Sequence, residues 1–167
     1  MALDATIGSP DANSYVTVTG ASSYFADRAH SLAWENEEEQ GAALVTASRM
    51  LDWYITWKGF KSSAEQSMNW PRMNVVRPDS SLVADNIIPM EVKVAVFELA
   101  LSSLESDRTS DGDMAGLGQI KAGSLSIKTD GGGTTSTSPD TIPEKIWKIL
   151  SDLTSKSGIG VVRLVRA

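Results

Sequence analysis

The sequence contains no cysteine and only one histidine, His30. Without cysteine there is no disulfide framework, no thiolate zinc site and no thiol nucleophile. A Ser-His-Asp catalytic triad or a histidine general base would have to use His30. This residue falls beside the apolar stripe of the first predicted helix, near its carboxyl end, where an imidazolium suits the helix dipole. We therefore expect no catalytic residues and no enzyme activity.

Positive charge is also scarce, with 15 Lys and Arg against 21 Asp and Glu and a net charge of -6. Such a balance disfavours binding to phosphate backbones or anionic lipid by bulk attraction. The first fifteen residues have no basic n-region, and no run of eighteen apolar residues occurs. We expect a soluble protein with no secretory signal and no membrane partner.

Motifs that hold metals or cofactors are incomplete. Asp107, Asp111 and Asp113 lie in a glycine-containing stretch, but the residue order of a calcium loop and its closing glutamate are missing. The glycine runs at 116–118 and 131–133 lack the other residues of a dinucleotide fingerprint or a P-loop. We expect no cofactor and no metal.

Apolar residues recur with helical spacing in four segments, which predicts helices over 18–33, from Asn36 towards Gly59, from Pro89 to Ser106, and over 143–156. Thr17 is placed to cap the first helix. The acidic run Glu35, Glu37, Glu38 and Glu39 could suggest a metal or acid–base cluster. A capping box, in which Asn36 accepts from the Glu39 amide, explains it better.

The predicted inward residues define a small core. In the second helix they are Ala43, Leu44, Ala47, Leu51 and Tyr54, with Trp53 and Trp57 widening the stripe. In the third they are Val92, Val96, Leu99 and Ser103, with Ala95 beside them, and in the last Ile146, Ile149, Leu150 and Leu153. The third helix has the most regular stripe, so we expect it to be central. The five tryptophans could instead form a base-stacking platform. Because Trp53, Trp57 and Trp147 lie on or beside these stripes, the core is favoured.

Residues 59–88 show no sustained periodic spacing of apolar residues, which predicts a long irregular crossover between the second and third helices. A loop of this length needs anchors, and Trp57, Trp70 and Leu82 are available for that role. Further along, the pattern predicts a β-hairpin at about 117–130 and a flexible Gly/Thr/Ser linker at 131–139. The last residues are strand-like and cationic. The expected fold is mainly α: a helical bundle of about four helices with a protruding hairpin, in a domain of residues 1–158, followed by an extended arm at 159–167.

Several short motifs occur in a characteristic order along nearly the whole chain. They are Ala12-Asn13-Ser14-Tyr15-Val16-Thr17, then Tyr24-Phe25 and Arg28, Ala43-Leu44, Ala47-Ser48-Arg49-Met50-Leu51-Asp52, Trp57-Lys58-Gly59, Gln66, Trp70-Pro71-Arg72, Ile88-Pro89 and Val162-Arg163-Leu164-Val165-Arg166. The set resembles the phage proteins often labelled DnaT-like single-stranded DNA-binding proteins. The crossover pattern W-x-G…Q…W-P-R is its most specific part, with Trp57, Gly59, Trp70, Pro71 and Arg72 as expected loop anchors.

Proteins of this kind look like head-to-tail adaptors of tailed bacteriophages, so the resemblance implies a structural virion protein made in the host cytoplasm and located in the virion neck. The implied partners are the portal protein, a tail or nozzle protein, and further copies of the chain in a ring, usually of twelve. An acidic ring would let packaged DNA pass without specific binding.

The terminal residues would then form a portal-binding arm that adds a strand to the partner's sheet: Val161, Val162, Arg163, Leu164, Val165 and Arg166. The alternative is a replication module that binds single-stranded DNA, which would need positive charge in its binding groove.

Overall fold

A computed structural model describes residues 2–106, 119–122, 125–128 and 141–155. Within these ranges the chain is mainly helical, as predicted. The α-helices are α1 (Val18–Ala26), α2 (Glu37–Tyr54), α3 (Met90–Glu105) and α4 (Glu144–Leu150), and a 3-10 helix covers Leu32–Glu35. The strands are β1 (Phe60–Lys61), β2 (Arg72–Met73), β3 (Gln119–Ala122) and β4 (Leu125–Lys128). Strands β1 and β2 form one antiparallel pair and β3 and β4 another, which is the predicted hairpin.

Helix α3 forms the centre of the core, and both α2 and α4 pack against it. Its buried residues include Val92, Ala95, Val96 and Leu99, all of them fully enclosed. Eight of the sixteen residues of α3 are buried, and they lie on several sides of the helix, so only a narrow part of its surface faces solvent. The prediction that α3 is central is confirmed.

Helix α1 is shorter than predicted, because the chain leaves helical geometry after Ala26. Thr17 caps its start as expected, with its Oγ1 accepting from the Gly20 amide at 3.1 Å. His30 has a positive φ of 60° and lies outside the helix, so its predicted place at a helix carboxyl end is wrong. The Ser31 hydroxyl donates to the carbonyl oxygen of Phe25, which stabilises this early end.

Helix α2 also ends earlier, at Tyr54. No side-chain hydrogen bond caps its start, and the Glu39 amide donates to the backbone carbonyl of Asn36 instead, so the predicted capping box is wrong. Gly59 has the expected left-handed φ of 67°, but it is the fifth residue beyond the helix. It is needed there because a Cβ would lie 2.2 Å from the Met73 carbonyl oxygen.

The crossover between α2 and α3 is fixed by its tryptophans. Trp57 and Trp70 are buried and pack edge to face, with ring centres 5.6 Å apart. Neither indole nitrogen has a hydrogen-bond partner among the described residues, so the pair contributes through apolar contact. Pro71 is buried beside them and follows a cis peptide bond. Leu82, by contrast, is 69% exposed, and its predicted role as an anchor is wrong.

Two polar side chains, Arg72 and Tyr15, also hold this crossover in place through hydrogen bonds. The Arg72 guanidinium donates to the carbonyl oxygens of Lys58 and Gly59, each at 2.7 Å. The buried Tyr15 hydroxyl donates to Asp52 on α2 and accepts from the Asn69 amide. Burial raises the pKa of both Tyr15 and Asp52. These contacts tie the crossover to the end of α2.

Helix α4 ends at Leu150, earlier than predicted, and a turn carries the chain on to Leu153. Ile146, Leu150 and Leu153 are buried as expected. Thr154 then forms a β-bridge with Trp57. The predicted linker at 131–139 and the arm at 159–167 lie outside the described residues. Of the helices in the described ranges, none is long and apolar enough to cross a membrane.

Candidate nucleic-acid interface

Three aromatic side chains predicted for the core lie on the surface. Trp53 is 73% exposed, Tyr54 52% and Trp147 42%, so the core prediction is wrong for each of them. All three lie at helix positions that face solvent instead of the core. Aromatic surface of this kind can stack on other flat rings.

Tyr54 and Trp147 line the same concavity, one from the end of α2 and the other from α4. Its other walls are Thr141, Ile142 and Glu144, and it encloses about 330 Å³. That volume is at the small end of ligand sites, which suits one flat group better than an extended molecule. We call this pocket the aromatic concavity.

A cationic side chain lies close to the aromatic concavity. Lys148 follows Trp147 on α4, and its Nζ lies 3.0 Å from a carboxylate oxygen of Glu144, so the acid in the pocket wall is paired. Both side chains are more than two-thirds exposed, which leaves their ion pair weak. The pocket therefore has an aromatic wall and one cation, Lys148, beside it.

One acidic run lies far from the aromatic concavity. The run at 35–39 lies at the start of α2, whereas Tyr54 is the last residue of that helix. Eighteen helical residues span about 27 Å. This separation is well beyond the screening length of about 8 Å at physiological salt. The run therefore contributes little to the potential at the concavity.

Helix α4 is held in place by a buried carboxylate. Glu98 on α3 is 7% exposed and accepts hydrogen bonds from the Tyr24 hydroxyl at 2.7 Å and from both Nε and Nη2 of Arg28. The third donor is Nζ of Lys145 on α4. Burial alone would raise the pKa of Glu98, but these donors outweigh burial and lower its pKa to about 2. The carboxylate thus joins α1, α3 and α4, and it fixes the helix that carries Trp147.

A second concavity lies between α1 and α3 and encloses about 580 Å³. Tyr24 and Phe97 stack in its floor, with ring centres 5.0 Å apart and an interplanar angle of 27°. Its remaining lining residues are Gly20, Ser23, Asp27, Arg28, Met90 and Lys93. Met90 is 62% exposed, so its side chain gives this pocket an accessible apolar surface. We call this pocket the α1–α3 groove.

The residues singled out from the sequence do not form a site together. Trp57, Gly59, Trp70, Pro71 and Arg72 build the crossover, and the six residues proposed as an arm lie outside the described residues. Among the described residues, no group of three or more His, Asp or Glu side chains is arranged to hold a metal. The surface aromatics were missed because helical spacing shows which stripe is apolar but not how far it is covered.

One sequence signal did mark Trp147 as a surface residue. It stands between Lys145 and Lys148 on a short helix, and a side chain next to lysines lies at the edge of a buried stripe. For Tyr54 the sequence carries no comparable signal. Its exposure is visible only in the folded structure.

The chain matches a known protein family. A family model described as "Putative DnaT-like ssDNA binding protein" matches residues 1–167. Searches of curated proteins and of solved structures give no significant match. The family description names single-stranded DNA binding and not a head-to-tail connector. The expectations of an adaptor ring beneath a portal, of portal and tail partners, and of DNA passing without specific binding are therefore wrong. The chain belongs to this DnaT-like family.

Proposed function

We propose that this protein binds single-stranded DNA through the aromatic concavity formed by Tyr54 and Trp147, without catalysing a reaction. The observation that carries the proposal is the pairing of two exposed aromatic rings in one small pocket with Lys148 beside it. The description of the family supports the choice of ligand. A base would stack on the aromatic wall, and Lys148 would contact the adjoining phosphate.

Stacking explains why the ligand would be a single strand rather than a duplex. In a duplex the bases already stack on each other, so their flat faces cannot reach an aromatic side chain. Every base has such a face, so recognition of this kind tolerates any sequence. Few cations lie at the pocket, which means that duplex binding by backbone charge alone would be weak. The site therefore favours unpaired bases.

The low net charge of the chain is compatible with this function. Non-specific binding depends on the local potential in the groove, and the nearest acid of the pocket, Glu144, is paired with Lys148. Lys148 can contact a phosphate while it still neutralises Glu144, because its ammonium has three donors and the ion pair is exposed. The acidic run at 35–39 is too distant to oppose it at physiological salt.

The test is fluorescence anisotropy with a labelled oligothymidylate and two alanine variants, Tyr54→Ala and Trp147→Ala. Removing a stacked aromatic costs about 1–3 kcal/mol per base, so each variant should weaken binding by about 5- to 150-fold. Trp147→Phe keeps a ring and should recover much of the affinity.

The matched control is Phe60→Ala, which removes an aromatic ring that is 67% exposed and lies outside the concavity. Its affinity should equal that of the wild type. If Phe60→Ala weakened binding as much as Trp147→Ala, or if neither concavity variant changed the affinity, the proposed site would be wrong. Thermal melts of all variants would confirm that folding is unchanged.

A further inference from the structure

The α1–α3 groove and the aromatic concavity lie on either side of α4. Lys145 reaches Glu98, which is also held by Arg28 in the wall of the groove, so Lys145 lies at the groove's edge. Trp147, two residues further along α4, lines the aromatic concavity. Two residues correspond to about 200° around a helix, so these side chains leave α4 in nearly opposite directions.

The outer face of α4 connects the two pockets. Ile146 and Leu150 are buried and point towards the core, which leaves Glu144 and Lys148 on the solvent side. The Lys148 side chain is 75% exposed and that of Lys145 is 53% exposed. A chain crossing this helix from one pocket to the other would meet both lysines.

The α1–α3 groove itself offers apolar surface next to positive charge. Met90 and Tyr24 supply the apolar surface, and no described residue pairs with the side chain of Lys93. Arg28 and Lys145 are both paired with Glu98, and Asp27 and Glu105 are further acids beside Arg28. Lys93 is therefore the cation that the groove offers to a phosphate.

We propose that the α1–α3 groove is a second subsite for the same single strand, which would run from the aromatic concavity over Lys148 and Lys145 on α4 and into the groove. This inference rests on the proposed function and extends the ligand from one base to a short run of nucleotides. Lys93 contacts a phosphate in the groove, and Tyr24 and Met90 contact a base. An acidic peptide would also meet Lys93. Continuity with the aromatic concavity across two exposed lysines favours the nucleic acid.

The experiment compares labelled oligothymidylates of about four and about twelve nucleotides, lengths within the range of single-domain sites. The variants are Met90→Ala and Lys93→Ala. Each should weaken binding of the longer oligonucleotide several-fold and leave the shorter one unchanged, because the shorter one occupies only the aromatic concavity. Lys93→Ala should also reduce the slope of log affinity against log salt by about 0.7 for the longer oligonucleotide.

Matched controls are Leu82→Ala, at an apolar side chain that is 69% exposed, and Lys61→Ala, at an exposed lysine. Both lie outside the two pockets and should leave both affinities unchanged. If Tyr54→Ala weakens both oligonucleotides and the groove variants weaken neither, the second subsite is wrong while the proposed function stands. If the wild type binds neither oligonucleotide, the proposed function fails and this inference fails with it.

Discussion

Glu98 shows how a single residue can organise a fold whose helices are short. A buried carboxylate without partners would be strongly destabilising. Here hydrogen bonds from α1 and α4 stabilise its ionised form, and its pKa falls to about 2. Burial, together with the hydrogen bond to Glu98, raises the pKa of Tyr24 to about 12. The sequence does not predict that Glu98 is buried and joins three helices, because a glutamate beside an apolar helical stripe can equally be a surface residue at its edge.

The lowered pKa of Glu98 predicts how stability depends on pH. A carboxyl group whose pKa falls on folding stabilises the native state fully above its unfolded value of 4.5 and loses that contribution as pH falls towards about 2. The shift corresponds to roughly 3 kcal/mol. Denaturation by urea between pH 6 and about pH 2 should show this loss.

Glu98→Gln is the control for that pH dependence. The variant removes the titrating group and leaves Arg28 and Lys145 without a counter-charge, so it should be less stable at pH 7 and lose less stability on acidification. An unchanged pH profile in the variant would show that Glu98 does not titrate in this range.

Two tryptophans offer a direct contrast between the core and the surface. Trp70 is 1% exposed, and Trp70→Ala should cost about 3–5 kcal/mol of unfolding free energy because it leaves a cavity. Trp53 is 73% exposed, and Trp53→Ala should change stability by no more than about 0.5 kcal/mol. Chemical denaturation of both variants measures the difference. Equal losses would contradict the assignment of Trp53 to the surface.

At the scale of elements, prediction from sequence succeeded where local signals agreed. Helix α3 was predicted almost to the residue because Pro89 marks its start and its apolar spacing is regular. Helix α1 was predicted to be longer than it is, because Ala29 and Leu32 continue the apolar spacing beyond Ala26. The backbone nevertheless leaves the helix there and adopts a positive φ at His30. Spacing records which side chains are apolar, and it does not record a break in the backbone.

The central place of α3 makes Leu99 a sensitive position. Leu99 is fully buried, and Leu99→Ala should destabilise the protein by about 2–5 kcal/mol through lost contacts and a residual cavity. Leu82→Ala makes the same chemical change at a residue that is 69% exposed and should cost far less. Thermal melting compares the two. A melting temperature unchanged by Leu99→Ala would show that the face of α3 has been assigned wrongly.

Helix α4 illustrates why the candidate site could not be predicted from sequence. With seven residues it is too short to be stable alone, so its position depends on Lys145, Ile146 and Leu150 contacting the rest of the chain. Those contacts decide which aromatic side chains stay exposed. Residue spacing within α2 carries no information about what packs over its last turn, and Tyr54 was therefore predicted to be buried.

For the whole molecule, net charge proved a poor guide to the ligand. The value of -6 sums over every charged group, whereas a bound strand responds to charges within about 8 Å. The acidic run at 35–39 and the aromatic concavity lie at opposite ends of α2, about 27 Å apart. An overall acidic chain can therefore present a neutral or weakly positive binding surface.

The central claim is that aromatic stacking, with few phosphate contacts, binds single-stranded DNA. The most direct measurement is an anisotropy titration of the wild-type protein with one labelled strand, alone and annealed to its complement, over a series of salt concentrations. We predict tighter binding to the single strand, with a slope of log affinity against log salt between about -1 and -3, because few cations contact phosphates. Equal or tighter binding to the duplex, or no binding of the single strand at physiological salt, would contradict the claim.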